Sequence, residues 1–231
     1  AVALSSKIVY AKAHIVMPKG APKIKVKAVK GYGAKVYLCE NNEKSREETC
    51  NNIIKKTNAN FIHPFDNEDV ICGQATCAKE IYDTTNDLDF IMCPVGGGGL
   101  ASGTVLSTKL FSSKTKVVLA EPINASDAYE SFTKKTLIPV QSPNTIADGL
   151  KTSLSERTFN IILNGASNII TVTEEEIISA MRLIWERLKI VCEPSCSVPL
   201  AALLKEPKEF KNKKVVIILT GGNVGVQKLP F

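Results

Sequence analysis

The chain has 231 residues, 44% hydrophobic and 23% charged, with 29 basic and 23 acidic side chains giving a net charge of +6. That apolar content supplies a substantial core for one large or two modest domains, and no run is long enough to span a bilayer. No signal peptide opens the chain, and the lysines, densest at Lys19, Lys23, Lys25, Lys27, Lys30 and Lys35, lack interleaved aromatics. They read as solvated helix faces, so a soluble protein with neither a nucleic-acid nor a membrane partner is expected.

In chain order, a helix is expected over residues 1–12, a strand over 13–17, a helix over 22–30 and a strand over 35–39. Ser45 and Glu48 have capping-box spacing for a helix reaching about Thr57, and residues 60–63 precede a helix over 70–82. A strand over 88–95 runs into four glycines, followed by a helix over 101–111 and a strand over 116–120. Residues 137–154, rich in Pro, Ser and Asn, are expected to be irregular. Thr173 and Glu176 form a second capping box for a helix to about Val191, with Ile177, Met181, Ile184, Trp185 and Leu188 on one apolar face. A strand over 215–219 ends in Thr220-Gly221-Gly222-Asn223. Alternating elements with short connections predict an α/β fold of parallel βαβ units.

Seven cysteines, an odd number without framework spacing, read as reduced thiols of a cytoplasmic protein. Cys192 and Cys196 have no second pair to complete a metal site and read as packing residues.

The segment Val95-Gly96-Gly97-Gly98-Gly99-Leu100 carries the most chemistry. Successive backbone N–H groups without Cβ atoms can converge on one anion, and the following helix adds the positive end of its dipole, which makes a phosphate cradle. Two ligands fit that pattern. Gly96, Gly98 and Ala101 satisfy a dinucleotide fingerprint with Glu121 as the ribose acid, whereas the second glycine turn at 220–223 suggests one ligand held at both ends.

The segments His63-Pro64-Phe65-Asp66, Val70-Ile71-Cys72-Gly73-Gln74-Ala75-Thr76, the glycine loop, Ala120-Glu121-Pro122, Ile146-Ala147-Asp148-Gly149 and Thr220-Gly221-Gly222-Asn223 occur in this order. Together they resemble the serine racemases and threonine/serine dehydratases, pyridoxal 5′-phosphate enzymes of fold type II, along essentially the whole chain. The resemblance implies a doubly wound, tryptophan-synthase-β-like fold, incomplete at the N-terminus, with residues 1–62 from the small domain and 63–231 forming the large cofactor-binding domain. It implies a phosphate cup of Gly96, Gly97, Gly98, Gly99 and Leu100, and a hydroxyl from Thr220 on the pyridine nitrogen. It implies Glu121, Ala125 and Asp127 as ligands of Mg²⁺, Mn²⁺ or Ca²⁺, and Tyr32, Lys189 and Asn223 as contacts of activating ATP. Arg46, His63 and Asp148 match residues near the cleft.

By the same resemblance, the Schiff-base lysine and the opposite-face serine lie upstream of Ala1, so no catalytic residue is expected within this chain; Lys7 reads as an exposed helix lysine. The expected activity is that of a serine racemase, a serine or threonine dehydratase, or both, in a homodimer when the protein is complete. The alternatives are an inactive pyridoxal-phosphate-binding or dimer-interaction module and a nicotinamide-binding oxidoreductase.

Overall fold

A computed structural model describes the backbone of residues 1–231 and the side chains of all but Glu43 and Lys228. The chain divides into two compact units, Ala1–Ile62 with Asn223–Leu229, and His63–Gly222 with Pro230–Phe231.

The first unit runs α1 (Val2–Ile8), β1 (His14–Pro18), α2 (Lys23–Gly31), β2 (Lys35–Cys39) and α3 (Glu43–Thr57). Strands β1 and β2 pair in parallel, from His14 opposite Lys35 to Pro18 opposite Cys39, with α2 as the crossover. Helix α1 stops four residues before the expected Lys12. Tyr10 takes a left-handed φ of 56°, and the N–H groups of Tyr10 and Ala11 turn back onto Lys7 O and Ser6 O. That pair of bonds closes a Schellman motif, which satisfies carbonyls that a longer helix would have used. The expected Ser45/Glu48 capping box is also corrected. Asn42 caps α3 by accepting from Ser45 N at 2.8 Å, while Ser45 Oγ accepts from Glu40 N. An Asn three residues nearer the turn reaches the orphan donors first.

The second unit carries a four-stranded sheet ordered β5-β4-β3-β6, every neighbouring pair parallel. Its strands are β3 (Phe90–Pro94), β4 (Lys116–Pro122), β5 (Ala166–Val172) and β6 (Val215–Ile217). Its helices are α4 (Glu68–Thr84), α5 (Gly99–Phe111), α6 (Asp127–Lys134), α7 (Glu156–Leu163), α8 (Glu174–Leu183) and α9 (Pro194–Lys205). Because side chains alternate along a strand, the sheet builds two cores. Ile91, Cys93, Val117 and Leu119 pack with Ala101, Val105, Phe159 and Ile162 on one face. Phe90, Met92, Val118 and Ala120 pack with Ile177, Ala180, Val198 and Ala201 on the other. Among the described residues no helix is long and apolar enough to cross a membrane.

The Thr173/Glu176 capping box forms, with Glu176 Oε2 accepting from Thr173 N at 2.7 Å. The helix after it departs from expectation. It widens into a π turn over Ile184–Leu188 and ends at Lys189 in the left-handed region, short of Val191. The wider turn breaks the 3.6-residue period, so Ile177, Met181 and Ile184 are buried whereas Leu188 is 57% exposed. Trp185 is half-buried and donates Nε1–H to Cys192 O at 3.0 Å.

Candidate active site

Parallel strands of one sheet release their loops at a common carboxyl-terminal edge, and here three loops of the second unit leave it side by side. The first follows β3. Val95 N bonds Ala120 O, and Gly98 takes a φ of +89° as the N-cap of α5 while its carbonyl accepts from Ser102 N. A Cβ at position 97 would lie 2.3 Å from the Phe65 ring, and one at 98 would lie 2.7 Å from Thr158 Cβ. Both glycines are therefore dictated by close packing, and Gly98 also by its left-handed backbone. Helix α7 braces the loop from outside: Thr158, in a capping box with Ser155, donates its hydroxyl to Gly97 O at 2.9 Å.

The consequence is a row of donors. Among the described residues, no acceptor takes the N–H groups of Gly96, Gly97, Gly98, Gly99 or Leu100. A helix N-terminus leaves its first donors unpaired, and this loop extends that row by two residues, Gly96 and Gly97, at the positive end of the α5 dipole.

The second loop follows β6, the neighbour of β3. Met92 lies opposite Ile217, and Ile218 N continues the ladder to Met92 O. Thr220 is exposed just beyond, about one strand spacing of 4.8 Å to the side of the glycine loop's root.

The third loop follows β4. Glu121 is fully buried, and its two carboxylate oxygens accept the N–H groups of Ala128 and Tyr129, at 3.0 and 2.8 Å, in the first turn of α6. Asp127 Oδ2 accepts from Leu154 N at 3.3 Å, and Oδ1 is buried with no hydrogen-bond partner. Burial, then the nearby Asp127 charge, pushes the Glu121 carboxyl well above its ordinary range. Burial pushes Asp127 up to about 7. Ala125 is buried between them in sequence, and Ala125, Asp127 and Glu130 line a cleft of about 380 Å³.

The remaining expected contacts fall in both units. Tyr32 caps the end of α2 and Asn223 is exposed, both in the first unit, whereas Lys189 ends the π turn in the second. Neither unit brings the three together. Arg46 is a half-buried residue of α3. His63 Nδ1 accepts from Asp66 N at 2.8 Å, the geometry of a loop-ordering residue. Asp148 opens a short 3₁₀ turn, and Lys7 is exposed on α1. Sequence reasoning missed Thr158 and Phe65 as braces of the glycine loop; for Thr158 the signal was Ser155, three residues earlier.

The profile of the family described as "Pyridoxal-phosphate dependent enzyme" matches residues 1–221. The chain belongs to that family. A β-hydroxyaspartate dehydratase of Paracoccus denitrificans is 44% identical over 94% of this chain and 69% of its own length. A serine racemase of Dictyostelium discoideum is 43% identical over 99% of this chain and 72% of its own. Among solved structures, maize serine racemase superimposes with a TM-score of 0.95 at 35% identity, covering 99% of this chain and 71% of that one. The fold is therefore the doubly wound α/β fold of the type II pyridoxal-phosphate enzymes.

The site's chemistry fits that membership. A phosphate dianion needs several donors, and the N–H groups of residues 96–100 have no acceptor among the described residues. The nicotinamide alternative needs Glu121 to present its carboxylate to a ribose in the cleft. Glu121 is instead buried with both oxygens already hydrogen-bonded by α6.

Proposed function

We propose that this chain binds pyridoxal 5′-phosphate at the carboxyl-terminal edge of its four-stranded sheet and serves an enzyme that acts on a β-hydroxy-α-amino acid. Serine and threonine are the substrates read from the sequence motifs; 3-hydroxyaspartate joins them because the β-hydroxyaspartate dehydratase is 44% identical. The reactions are racemisation at the α-carbon, loss of the β-hydroxyl with release of ammonia, or both. The observation that carries this reading is the row of unpaired donors from Gly96 to Leu100 in a chain of this family.

When bound, the cofactor withdraws electron density from the substrate's α-carbon and acidifies its proton. The residues of this chain bind and orient. Gly96, Gly97, Gly98, Gly99 and Leu100 hold the phosphate through backbone N–H groups, and Thr158 keeps the loop in that shape. Thr220 places a hydroxyl at the ring nitrogen. Two buried carboxylates, Glu121 and Asp127, with the Ala125 carbonyl, hold a hard divalent cation. Among the described residues no group of three or more His, Cys, Asp or Glu could hold a metal, so an ion here would rest on these two carboxylates and the carbonyl. No lysine of residues 1–231 matches the Schiff-base position that the family resemblance implies.

Equilibrium dialysis of the chain tests this. Pyridoxal phosphate is retained, pyridoxal without its phosphate at least about tenfold less, and G98A loses the difference, because the phosphate is the part the loop recognises. Equal retention of both compounds would sink the reading. Borohydride reduction of the 231-residue chain traps the cofactor at no single lysine; stoichiometric trapping at Lys7 would overturn that assignment.

A further inference from the structure

The glycine loop lies between two walls, and helix α7 reaches both. On one side the Phe65 ring leaves no room for a Cβ at position 97, and a Cβ at 99 would lie 3.0 Å from Phe65 Cβ. On the other side Thr158 of α7 donates its hydroxyl to Gly97 O at 2.9 Å. Arg157, the preceding residue of α7, takes hold of the Phe65 side. Its Nε donates to Asp66 Oδ1 at 3.1 Å and its Nη1 to Glu68 Oε1, across 91 and 89 residues of sequence. Asp66 follows Phe65 directly, and its N–H donates to His63 Nδ1 at 2.8 Å, while the His63 and Phe65 rings meet edge to face with centroids 4.6 Å apart. Residues 63–66 are thus tied into one piece, and Glu68 is the first residue of α4.

We propose that Arg157 is a positioning residue for the phosphate loop: by gripping Asp66 and Glu68 it keeps the Phe65 ring seated on Gly97 and Gly99, opposite the Thr158 hydrogen bond, and so holds the N–H groups from Gly96 to Leu100 in the shape that receives phosphate. Glycines have the widest choice of backbone conformation, so the arrangement that lines up their donors has to be imposed from outside. A loop ordered in advance loses less freedom when its ligand arrives. Thr158 imposes its side through a buried hydroxyl. A phenylalanine ring offers contact but no hydroxyl or amide to fix it, so its place depends on what anchors the backbone at Asp66.

A guanidinium presents its donors in a rigid fork, which suits it to bridging two carboxylates from different segments. The side chains of Arg157, Asp66 and Glu68 are 42%, 37% and 80% exposed. Pairs this exposed add little to overall stability, and salt screens them. The tether therefore makes cofactor retention respond to ionic strength through side chains that the ligand need not touch.

The inference rests on the cofactor reading above, and its test separates the two. The quantity measured is the ratio of pyridoxal phosphate to pyridoxal retained by the 231-residue chain in equilibrium dialysis. R157Q should lower that ratio about three- to fivefold with little change in the urea midpoint. D66N distinguishes positioning from simple attraction, because it leaves the Arg157 charge in place and removes a negative one. A direct pull of Arg157 on the phosphate would make D66N raise the ratio; loss of the tether lowers it about as far as R157Q does. The double variant R157Q/D66N should fall no further than the lower single variant, since both break one contact. Potassium chloride at about 0.5 M should bring the wild-type ratio close to that of R157Q. In the ligand-free chain, the amide resonances of Gly97 and Gly99 should shift in R157Q and in D66N. A ratio unmoved by R157Q or raised by D66N, or glycine resonances unmoved in both variants, overturns the proposal and leaves the cofactor reading standing. A wild-type chain that retains the two compounds equally ends the cofactor reading and the role of Arg157 with it.

Discussion

The two parallel sheets of this protein follow the same βαβ rule and are buried to different degrees. Every residue of β3 is buried, as are six of the seven in β4, with helices on both faces. In β1 every residue is half-buried, and α2 buries none of its side chains. Few side chains of the first unit are buried, among them Cys39 of β2 and Ile53 of α3, whereas the second unit packs two separate cores. The difference shows where rigidity is placed: the loops proposed to hold the cofactor grow from strands locked on both sides.

The comparison is broken most directly by truncating one side chain in each sheet. L119A should lower the unfolding free energy by about 3–4 kcal/mol and V16A by about 1 kcal/mol, because a fully buried leucine leaves a cavity and a half-buried valine does not. Urea denaturation followed by fluorescence measures both, and equal losses would abolish the distinction. Hydrogen exchange sharpens it, with β3 and β4 amides exchanging last and those of β1 and β2 earlier.

The third loop of the rigid unit should show its buried carboxylates as a pH effect. Asp127 rises from an ordinary 3.8 to about 7 in the folded chain, and Glu121 is raised as well. The folded state therefore binds protons that the unfolded state has released. With a chelator present, stability should be full below about pH 4 and fall by about 2–4 kcal/mol as the pH climbs to 7. Mg²⁺ should restore most of that loss above pH 7, since it binds the ionised pair in the native state only. D127N should flatten both responses. A chelated chain with a level profile over this window would show that the carboxylates are compensated by other means.

Smaller effects test local geometry. G98A should cost about 2 kcal/mol through its left-handed backbone and the crowding against Thr158 and Leu154, and T158A about 1 kcal/mol through loss of the α7 cap. Smallest, N42A should cost about 1 kcal/mol or less and still exceed S45A, since Asn42 and not Ser45 caps α3. Thermal melts of the two variants settle that order.

The amino-acid sequence by itself determined the alternation of elements, the parallel sheets, the Thr173/Glu176 cap and the place of the glycine loop between strand and helix. These depend on periodicity and on spacings of three or four residues, which chain geometry enforces locally. It also carried, through ordered motifs, the family. Only the tertiary structure decided the rest. Gly97 is dictated by Phe65, 32 residues earlier, and Gly98 by Thr158, 60 residues later, through contacts that no local pattern encodes. Glu121 has the same spacing whether it serves a ribose or a cation, and only the fold brings the N–H groups of Ala128 and Tyr129 onto its two carboxylate oxygens. Cys192 and Cys196 are both buried, with Glu193 between them bonded to the turn after β6, because burial and hydrogen-bond partners belong to the assembled fold and not to the residue.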